Sequence, residues 1–452
     1  MNILLINPPA LSMFSSFGMS LPPMGLLYIA AALENSGHQV VIRDLTVEDV
    51  TVSNTDITNA SLVGISSDTT RIDKALALAR QASTLGVPVV MGGPHPQFLA
   101  KEILASGYVN YIVRGEGEPV LAELADTMEQ GKDPAIVNGL IYLDQNGQIR
   151  ETPDAVKPDV EELPLPARHL LDLKSYTGYV AGRPAAPVIT SRGCPGACHF
   201  CSSSSFFGRG WRARSAASVL AEIDLLYNEY GYRAIAFMDD NFTLLPERVC
   251  QIADGLIQRG YDLKLWNFSR VDSIVRNPQM VAKMAAAGCF MVYLGIESED
   301  RDTLNSLGKR STAEDAAEAV RMLKANGIEV YGSYIIGNLN EGAEEIRRTV
   351  DMAISLDTQV AQFSILTPYP GTQLYQKLKD RINTHKWKFF DGLHLVFRHP
   401  VLGRIHLQLL LAFAFIRYYR RSETAKQGFR QASSKCGMSF RKVASCALEM
   451  LK

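Results

Sequence analysis

The chain has 452 residues, of which 47% are apolar and 21% charged, with 34 Gly and 21 Pro. Such proportions exclude a disordered, collagenous or coiled-coil chain, and the length implies two or three domains. A net charge of -1 leaves no global field to attract nucleic acid or a membrane, yet from Arg398 to Lys452 there are 11 Lys and Arg against only Glu423 and Glu449, so this tail carries +9 and residues 1–397 carry -10.

Seven cysteines are too few and too odd in number for a disulfide scaffold, and three of them fall within eight residues. That clustering points to a reducing compartment and a metal. The opening Met1–Pro9 has no basic segment and breaks at Pro8-Pro9, unlike a secretory signal. The late apolar run Leu409–Ile416 is far short of the roughly 20 residues that span a bilayer, so the chain reads as cytoplasmic.

In chain order, apolar runs at Ile3–Asn7, Gln39–Asp44, Leu62–Ser66, Val87–Met91 and Tyr111–Val113 alternate with helical stretches at Gly25–Ser36, Ile72–Leu85 and Pro119–Gln130. This alternation predicts a five-stranded, doubly wound parallel sheet, whose ligands sit in loops at the carboxyl ends of the strands. Those loops are small, polar or Gly-rich: Asn7-Pro8-Pro9, Ser66-Ser67-Asp68, Gly92-Gly93-Pro94-His95-Pro96 and Arg114-Gly115-Glu116-Gly117-Glu118. Neither a G-x-G-x-x-G after the first strand nor a G-x-x-x-x-G-K-[ST] anywhere is present, which argues against NAD and ATP.

A hairpin is expected at Leu140–Arg150 around Gln145-Asn146-Gly147, followed by a Pro-rich linker over Glu151–Pro187. A second βα series then begins, with strands near Val188–Ser191, Ala234–Met238, Leu263–Phe268, Phe290–Gly295, Glu329–Ile336 and Ala361–Leu366. Six βα repeats are too few for a closed eight-fold barrel and suit an open one. Beyond Pro370 the pattern stops, and Trp387–Lys452 reads as helical and basic. The expected division is 1–135, a linker at 136–187, a barrel over 188–380 and a helical region over 381–452.

The strongest chemical signal is Cys194-Pro195-Gly196-Ala197-Cys198-His199-Phe200-Cys201, a C-x3-C-x2-C run just after the first barrel strand. Thiolates select zinc or iron–sulfur clusters, and a closed zinc site requires a fourth ligand. His199 adjoins Cys198 and points elsewhere in most backbone geometries, while Cys250 and Cys289 read as core residues. Three thiolates alone leave one iron of a [4Fe–4S] cluster open. A zinc or electron-transfer protein without catalysis remains the alternative from another class.

This triple on the loop after strand one resembles the radical S-adenosylmethionine enzymes. Strand ends at Phe237-Met238-Asp239-Asp240-Asn241-Phe242, Asn267-Phe268-Ser269-Arg270-Val271-Asp272, Leu294-Gly295-Ile296-Glu297-Ser298 and Ile335-Ile336-Gly337-Asn338, with Pro368-Tyr369-Pro370-Gly371-Thr372 after strand six, fall in the order that family would have them. The sheet ahead of the barrel resembles the cobalamin-dependent subgroup over roughly residues 1–380. The region from Phe389 to Pro400 is similar to that of anaerobic magnesium-protoporphyrin monomethyl ester cyclase relatives.

The resemblance implies an α/β fold: a Rossmann-like cobalamin-binding sheet, a partial (β/α)6 barrel and a C-terminal helical region. It implies a [4Fe–4S] cluster on Cys194, Cys198 and Cys201. S-adenosylmethionine would be held by Glu297 and Arg270 with Asp239, Asp240 and Phe200 nearby. Cobalamin would lie against Ser67, Gly92, Gly93, His95, Gly115 and Glu116, without the D-x-H-x-x-G motif that supplies a histidine to cobalt, since no D-x-H occurs. The implied reaction is methylation of an unactivated carbon or phosphorus of a small or lipid-like substrate, with a flavodoxin- or ferredoxin-type electron donor and no nucleic acid. Cyclisation, rearrangement and a cobalamin-free enzyme are the alternatives within the family.

The segment Ile405–Arg421 places Leu409, Ala412, Phe413 and Ile416 at helical spacing before Arg417, Arg420 and Arg421. Such a stripe reads as core, with peripheral membrane contact as the alternative.

Overall fold

The protein, a computed structural model, is described over residues 1–9, 20–48 and 51–421. The tail assigned above to a basic helical region therefore lies outside the described residues from 422 onward. Two compact units divide the chain: Met1–Thr177 with Ser205–Phe207, and Gly178–Ser204 with Gly208 onward.

The first unit carries β1 (Asn2–Asn7), α1 (Met24–Asn35), β2 (Gln39–Asp44), β3 (Leu62–Ser66), α2 (Ile72–Thr84), β4 (Val89–Gly92), β5 (Tyr111–Val113) and α3 (Gly117–Glu129). Ile3 to Ile6 of β1 are all buried, as a parallel strand covered on both faces must be. The sheet has seven strands, not five: the hairpin expected in the linker forms β6 (Leu140–Leu143) and β7 (Ile149–Glu151) and extends the sheet. Tyr111 and Ile112 pair antiparallel with Tyr142 and Ile141, which buries Leu140, Ile141 and Tyr142 against the core.

Strand order is β2-β1-β3-β4-β5-β6-β7, so the winding direction reverses between β1 and β3. A crevice opens at such a switch point outside the strands' carboxyl ends. Arg71 bridges it, donating from Nη1 to Asn7 Oδ1 at 2.8 Å while Nε donates to Asp68 at 2.8 Å.

In the second unit, β8 (Tyr179–Val180) and β9 (Arg183–Val188) lead to the two-residue β10 (Ser191–Arg192), which pairs with β11 (Arg212–Ala213). The series continues through α4 (Ala216–Asn228), β12 (Ala234–Phe237), α5 (Pro246–Arg259), β13 (Lys264–Arg270), α6 (Pro278–Ala286) and β14 (Cys289–Glu297). It then runs through α7 (Arg301–Ser306), α8 (Ala313–Ala325), β15 (Glu329–Ile336), α9 (Ala343–Leu356), β16 (Val360–Ile365) and α10 (Gln373–Leu378). Six parallel strands stand in the order β16-β15-β14-β13-β12-β9, with β8 antiparallel at the edge. This is the open six-strand arrangement that the repeat count predicts.

The first barrel strand ends earlier than expected. The Thr190 N–H donates to Asp239 Oδ1 at 2.6 Å instead of extending the ladder beyond Val188.

The region after α10 departs further from expectation. Trp387–Phe389 is a single turn, and among the described residues of this region the α-helix is α11 (Arg404–Arg421). Between them Phe390, Leu395, Val396 and Phe397 are buried in an irregular segment. Gly392 at φ 77° and Pro400 break helical periodicity there. Gly392 O accepts from Ile365 N at 2.6 Å, fixing the segment to the end of β16.

The stripe read as core is exposed instead, with Leu409 and Ile416 both at 51%. Leu407, Leu410, Leu411, Ala414 and Tyr418 form the buried face. The helix is apolar on both sides, so spacing alone selects the wrong one. Among the described residues no helix is long and apolar enough to cross a membrane.

Beneath the β9–β10 turn lies a buried polar scaffold. Arg214 and Glu222 form an ion pair with side chains 7% and 0% exposed. Arg248 donates to Arg214 O at 2.6 Å and to Thr190 O at 2.9 Å. Glu222→Ala leaves Arg214 charged and uncompensated, so unfolding of this unit should lose about 3–5 kcal/mol. Chemical denaturation monitored by circular dichroism checks this, and an unchanged midpoint contradicts it.

Candidate functional site

The loop after β10 bears Cys194, Cys198 and Cys201, all free thiols and all half-buried. Asp239, at the end of β12, fixes the start of this loop: besides the Thr190 N–H it accepts from Thr190 Oγ1, and from Ser191 Oγ at 2.6 Å. Its carboxylate takes up these donors, which makes Asp239 an anchor for the start of the loop. Burial pushes its carboxyl above the usual range. Asp240 accepts from the Gly193 N–H at 3.2 Å, one residue before Cys194.

A second anchor was not legible in the sequence. His199 Nδ1 lies 2.9 Å from Ser306 O, and the His199 N–H donates to Leu307 O at 3.0 Å. Gly308, at φ 76°, lies so close that an added Cβ would stand 2.5 Å from Ala197 O. The Leu374 N–H donates to His199 O at 3.0 Å, and Phe200 packs partly buried against the barrel core.

Charged groups from β13 and β14 meet the loop. Arg270 Nη1 stands 3.9 Å from Cys198 Sγ, and a Cβ on Gly196 would meet that same Nη1 at 2.9 Å and Cys194 Sγ at 3.3 Å. Asp272 pairs with Arg270 Nε at 3.0 Å. Although burial opposes its charge, Asp272 and the neighbouring thiols hold the Arg270 guanidinium above its ordinary pKa.

Glu297 adopts φ 72°, where the register between β14 and β15 slips. A non-glycine residue in this region is strained and persists only where its surroundings hold it. The holding contact is Lys309, with Nζ 2.8 Å from Glu297 Oε1 and 3.2 Å from Gly295 O. Burial opposes the Lys309 charge, but Glu297 and Cys198 keep its pKa raised. Asp272 belongs to the strand-end motif read from the sequence, whereas Lys309 does not, because no local spacing marks a lysine 12 residues beyond a strand end.

The donor set suits a cluster. Burial pushes the Cys194 and Cys201 thiols up, while Arg270 beside Cys194 and Cys198, and Lys309 near Cys198, supply compensating positive charge. Among the described residues, the ligand atoms of His38, Asp126 and Glu129 lie within 4.8 Å of one another. Cys250 is half-buried on α5, and Cys289 is buried with its thiol pushed up to about 12.

The candidate residues of the first unit lie at the carboxyl ends of β3, β4 and β5. The Ser67 N–H donates to Gly92 O at 3.0 Å, and a Cβ on Gly93, at φ 105°, would stand 2.5 Å from Ser67 O. Only glycine permits this approach. His95, 2% exposed, faces Thr69 Oγ1 at 3.2 Å, and burial lowers its pKa to about 4, so the imidazole is neutral. The Gly115 N–H donates to Gln97 Oε1 at 2.6 Å, tying this glycine to the short Pro94–Phe98 helix that carries His95. Glu116 is buried at the start of α3. These Gly-rich loops stand at the carboxyl ends of a doubly wound sheet, where such sheets bind their ligands.

The family model "B12 binding domain" matches residues 12–125, and "Radical SAM superfamily" matches residues 188–353. The chain is 36% identical to an "uncharacterized methyltransferase" of Pyrococcus horikoshii over 93% of each chain. It is 28% identical to the anaerobic magnesium-protoporphyrin IX monomethyl ester cyclase of Rubrivivax gelatinosus, over 89% of this chain and 75% of that one. Among solved structures it resembles in fold the radical S-adenosylmethionine methyltransferase TsrM from Kitasatospora setae with cobalamin and [4Fe-4S] cluster bound. The TM-score is 0.69 at 23% identity, covering 84% of this chain and 74% of that one.

The two glycine contacts separate the sites experimentally. Gly93→Ala should lower hydroxocobalamin retained through gel filtration at least about tenfold while leaving the iron content unchanged, since the added Cβ meets backbone. Gly308→Ala should do the reverse. A loss of both cofactors in either variant contradicts the assignment.

Proposed function

The chain belongs to the cobalamin-dependent radical S-adenosylmethionine enzymes, and from that premise we propose that it methylates an unactivated carbon or phosphorus centre of a small biosynthetic molecule. Its cofactors are a [4Fe–4S] cluster, S-adenosylmethionine and cobalamin. When bound, these supply an electron for cleaving S-adenosylmethionine and a carrier for the methyl group.

Cys194, Cys198 and Cys201 would ligate the cluster and leave one iron open to the amino and carboxylate groups of S-adenosylmethionine. Arg270, held by Asp272, would face the cofactor's carboxylate. Glu297, held by Lys309, would accept hydrogen bonds from its amino or ribose groups. Phe200 would exclude water beside the cluster. Residues 1–135, with Ser67, Gly92, Gly93, His95, Gly115 and Glu116, would hold cobalamin. The neutral His95 supports a hydrogen-bonding role and not a charged one.

The barrel carries an aromatic row for the acceptor. Trp266, Phe268 and Arg270 share one face of β13, and the row continues through Tyr293 to Tyr331 with centroid spacings of 4.7, 4.9 and 4.8 Å. The reductant would be a flavodoxin- or ferredoxin-type donor. The clustered thiols support a cytoplasmic setting, and peripheral contact of the C-terminal region with a membrane would bring lipid-like acceptors within reach.

The observation that carries this reading is the placement of three free thiols beside the Arg270 and Lys309 cations at the carboxyl end of the barrel. Anaerobic reconstitution should yield about four irons per chain and cleavage of S-adenosylmethionine. Cys198→Ala should abolish both while the first unit stays folded. Stoichiometric zinc without cleavage, or an intact cluster spectrum in the variant, overturns the proposal.

A further inference from the structure

Helix α11 is anchored by one face. Leu407, Leu411, Ala414 and Tyr418 are buried, Tyr419 Oη donates to Ala361 O at 3.2 Å, and Arg417 pairs with Asp351 at 2.5 Å. It is thus a built part of its unit.

Its opposite face is the anomaly. Ile405, Leu409, Phe413 and Ile416, spaced by four, four and three residues, are 71%, 51%, 38% and 51% exposed, and Val401 just ahead of the helix is 62% exposed. Those spacings place the four side chains in one line along the helix, roughly 16 Å from first to last at 1.5 Å per residue. A helix in water keeps polar residues opposite its packed face, and one that is apolar all round is covered by something.

Charge selects the cover. Between Arg398 and Arg421 the chain has five arginines and neither Asp nor Glu. Arg404, Arg420 and Arg421 are exposed and form no ion pair among the described residues. A second copy docking by the same helix would bring like charges together. Residues 422–452, with six Lys and Arg against two Glu, are themselves basic and are no better suited. An anionic surface suits both the apolar line and its flanking arginines.

We infer that α11 lies flat on an anionic lipid bilayer, with Ile405, Leu409, Phe413 and Ile416 inserted among the acyl chains and Arg404, Arg420 and Arg421 at the phosphate headgroups. Interfacial helices bury their apolar face about 5–10 Å into the headgroup–acyl boundary, and basic residues at their flanks add attraction to anionic lipid. The inference rests on the proposed enzyme only for the class of acceptor that this contact would bring near. It makes a peripheral attachment and not a span.

The test uses the full-length reconstituted enzyme with vesicles of phosphatidylcholine alone and of 3:1 phosphatidylcholine and phosphatidylglycerol. Wild type should float with the anionic vesicles and release in high salt. Ile405→Glu with Leu409→Glu should weaken binding at least about tenfold, and glutamine at Arg404, Arg420 and Arg421 roughly fivefold per arginine. Leu409→Trp should add an emission that shifts to the blue on the anionic vesicles. Flotation unaffected by the glutamates, no flotation, an unshifted emission, or a dimer that the glutamates dissolve each overturns the inference. Iron content and S-adenosylmethionine cleavage, measured without vesicles, report on the enzyme reading separately.

Discussion

The buried carboxylate of Asp239 sets the geometry on which the cysteine loop depends. It is 1% exposed and draws three donors from Thr190 and Ser191, which ends β9 and aims the chain toward Cys194. A buried charge is tolerable only when fully hydrogen-bonded. Arg248 donates to the carbonyls of Arg214 and Thr190, so the scaffold runs from Glu222 through Arg214 to the strand end. Truncating one partner leaves another buried group unmatched, which makes the network costly to disturb and the loop's point of departure stiff.

From that origin the loop is held along its length. Gly193 reaches Asp240, Gly196 crowds Arg270, Ala197 meets Gly308, and His199 docks on Ser306 and Leu307. The three thiols are therefore fixed by backbone contacts and by side chains from β13 and the β12 end, Arg270 and Asp240 among them. The strain at Glu297 follows the same logic: a residue at positive φ is tolerated because Lys309 fixes its carboxylate within a buried pair. In the first unit the close approach of Gly93 to Ser67 likewise sets backbone against backbone at the carboxyl ends of β3 and β4.

The two sheets were legible because parallel strands carry continuous apolar runs whose spacing is local. Gln39–Asp44, Leu62–Ser66, Tyr111–Val113 and Glu329–Ile336 lie at the positions their patterns predict. The cysteine triple was legible for the same reason, being compact in sequence. What escaped depends on contacts between distant segments. The 140–151 hairpin joined the first sheet through pairing with β5, Asp239 turned inward to Thr190, and Lys309 met Glu297 from beyond α7. The exposed side of α11 escaped because an apolar period cannot distinguish which of two apolar faces is packed.

The electron paramagnetic resonance spectrum of the reduced cluster, with and without S-adenosylmethionine, tests the central claim most directly. An iron left open by Cys194, Cys198 and Cys201 predicts that the g values shift when the cofactor is added, and that Arg270→Gln weakens the concentration dependence of that shift without lowering the iron content. A fully loaded cluster whose spectrum is indifferent to S-adenosylmethionine would contradict the account.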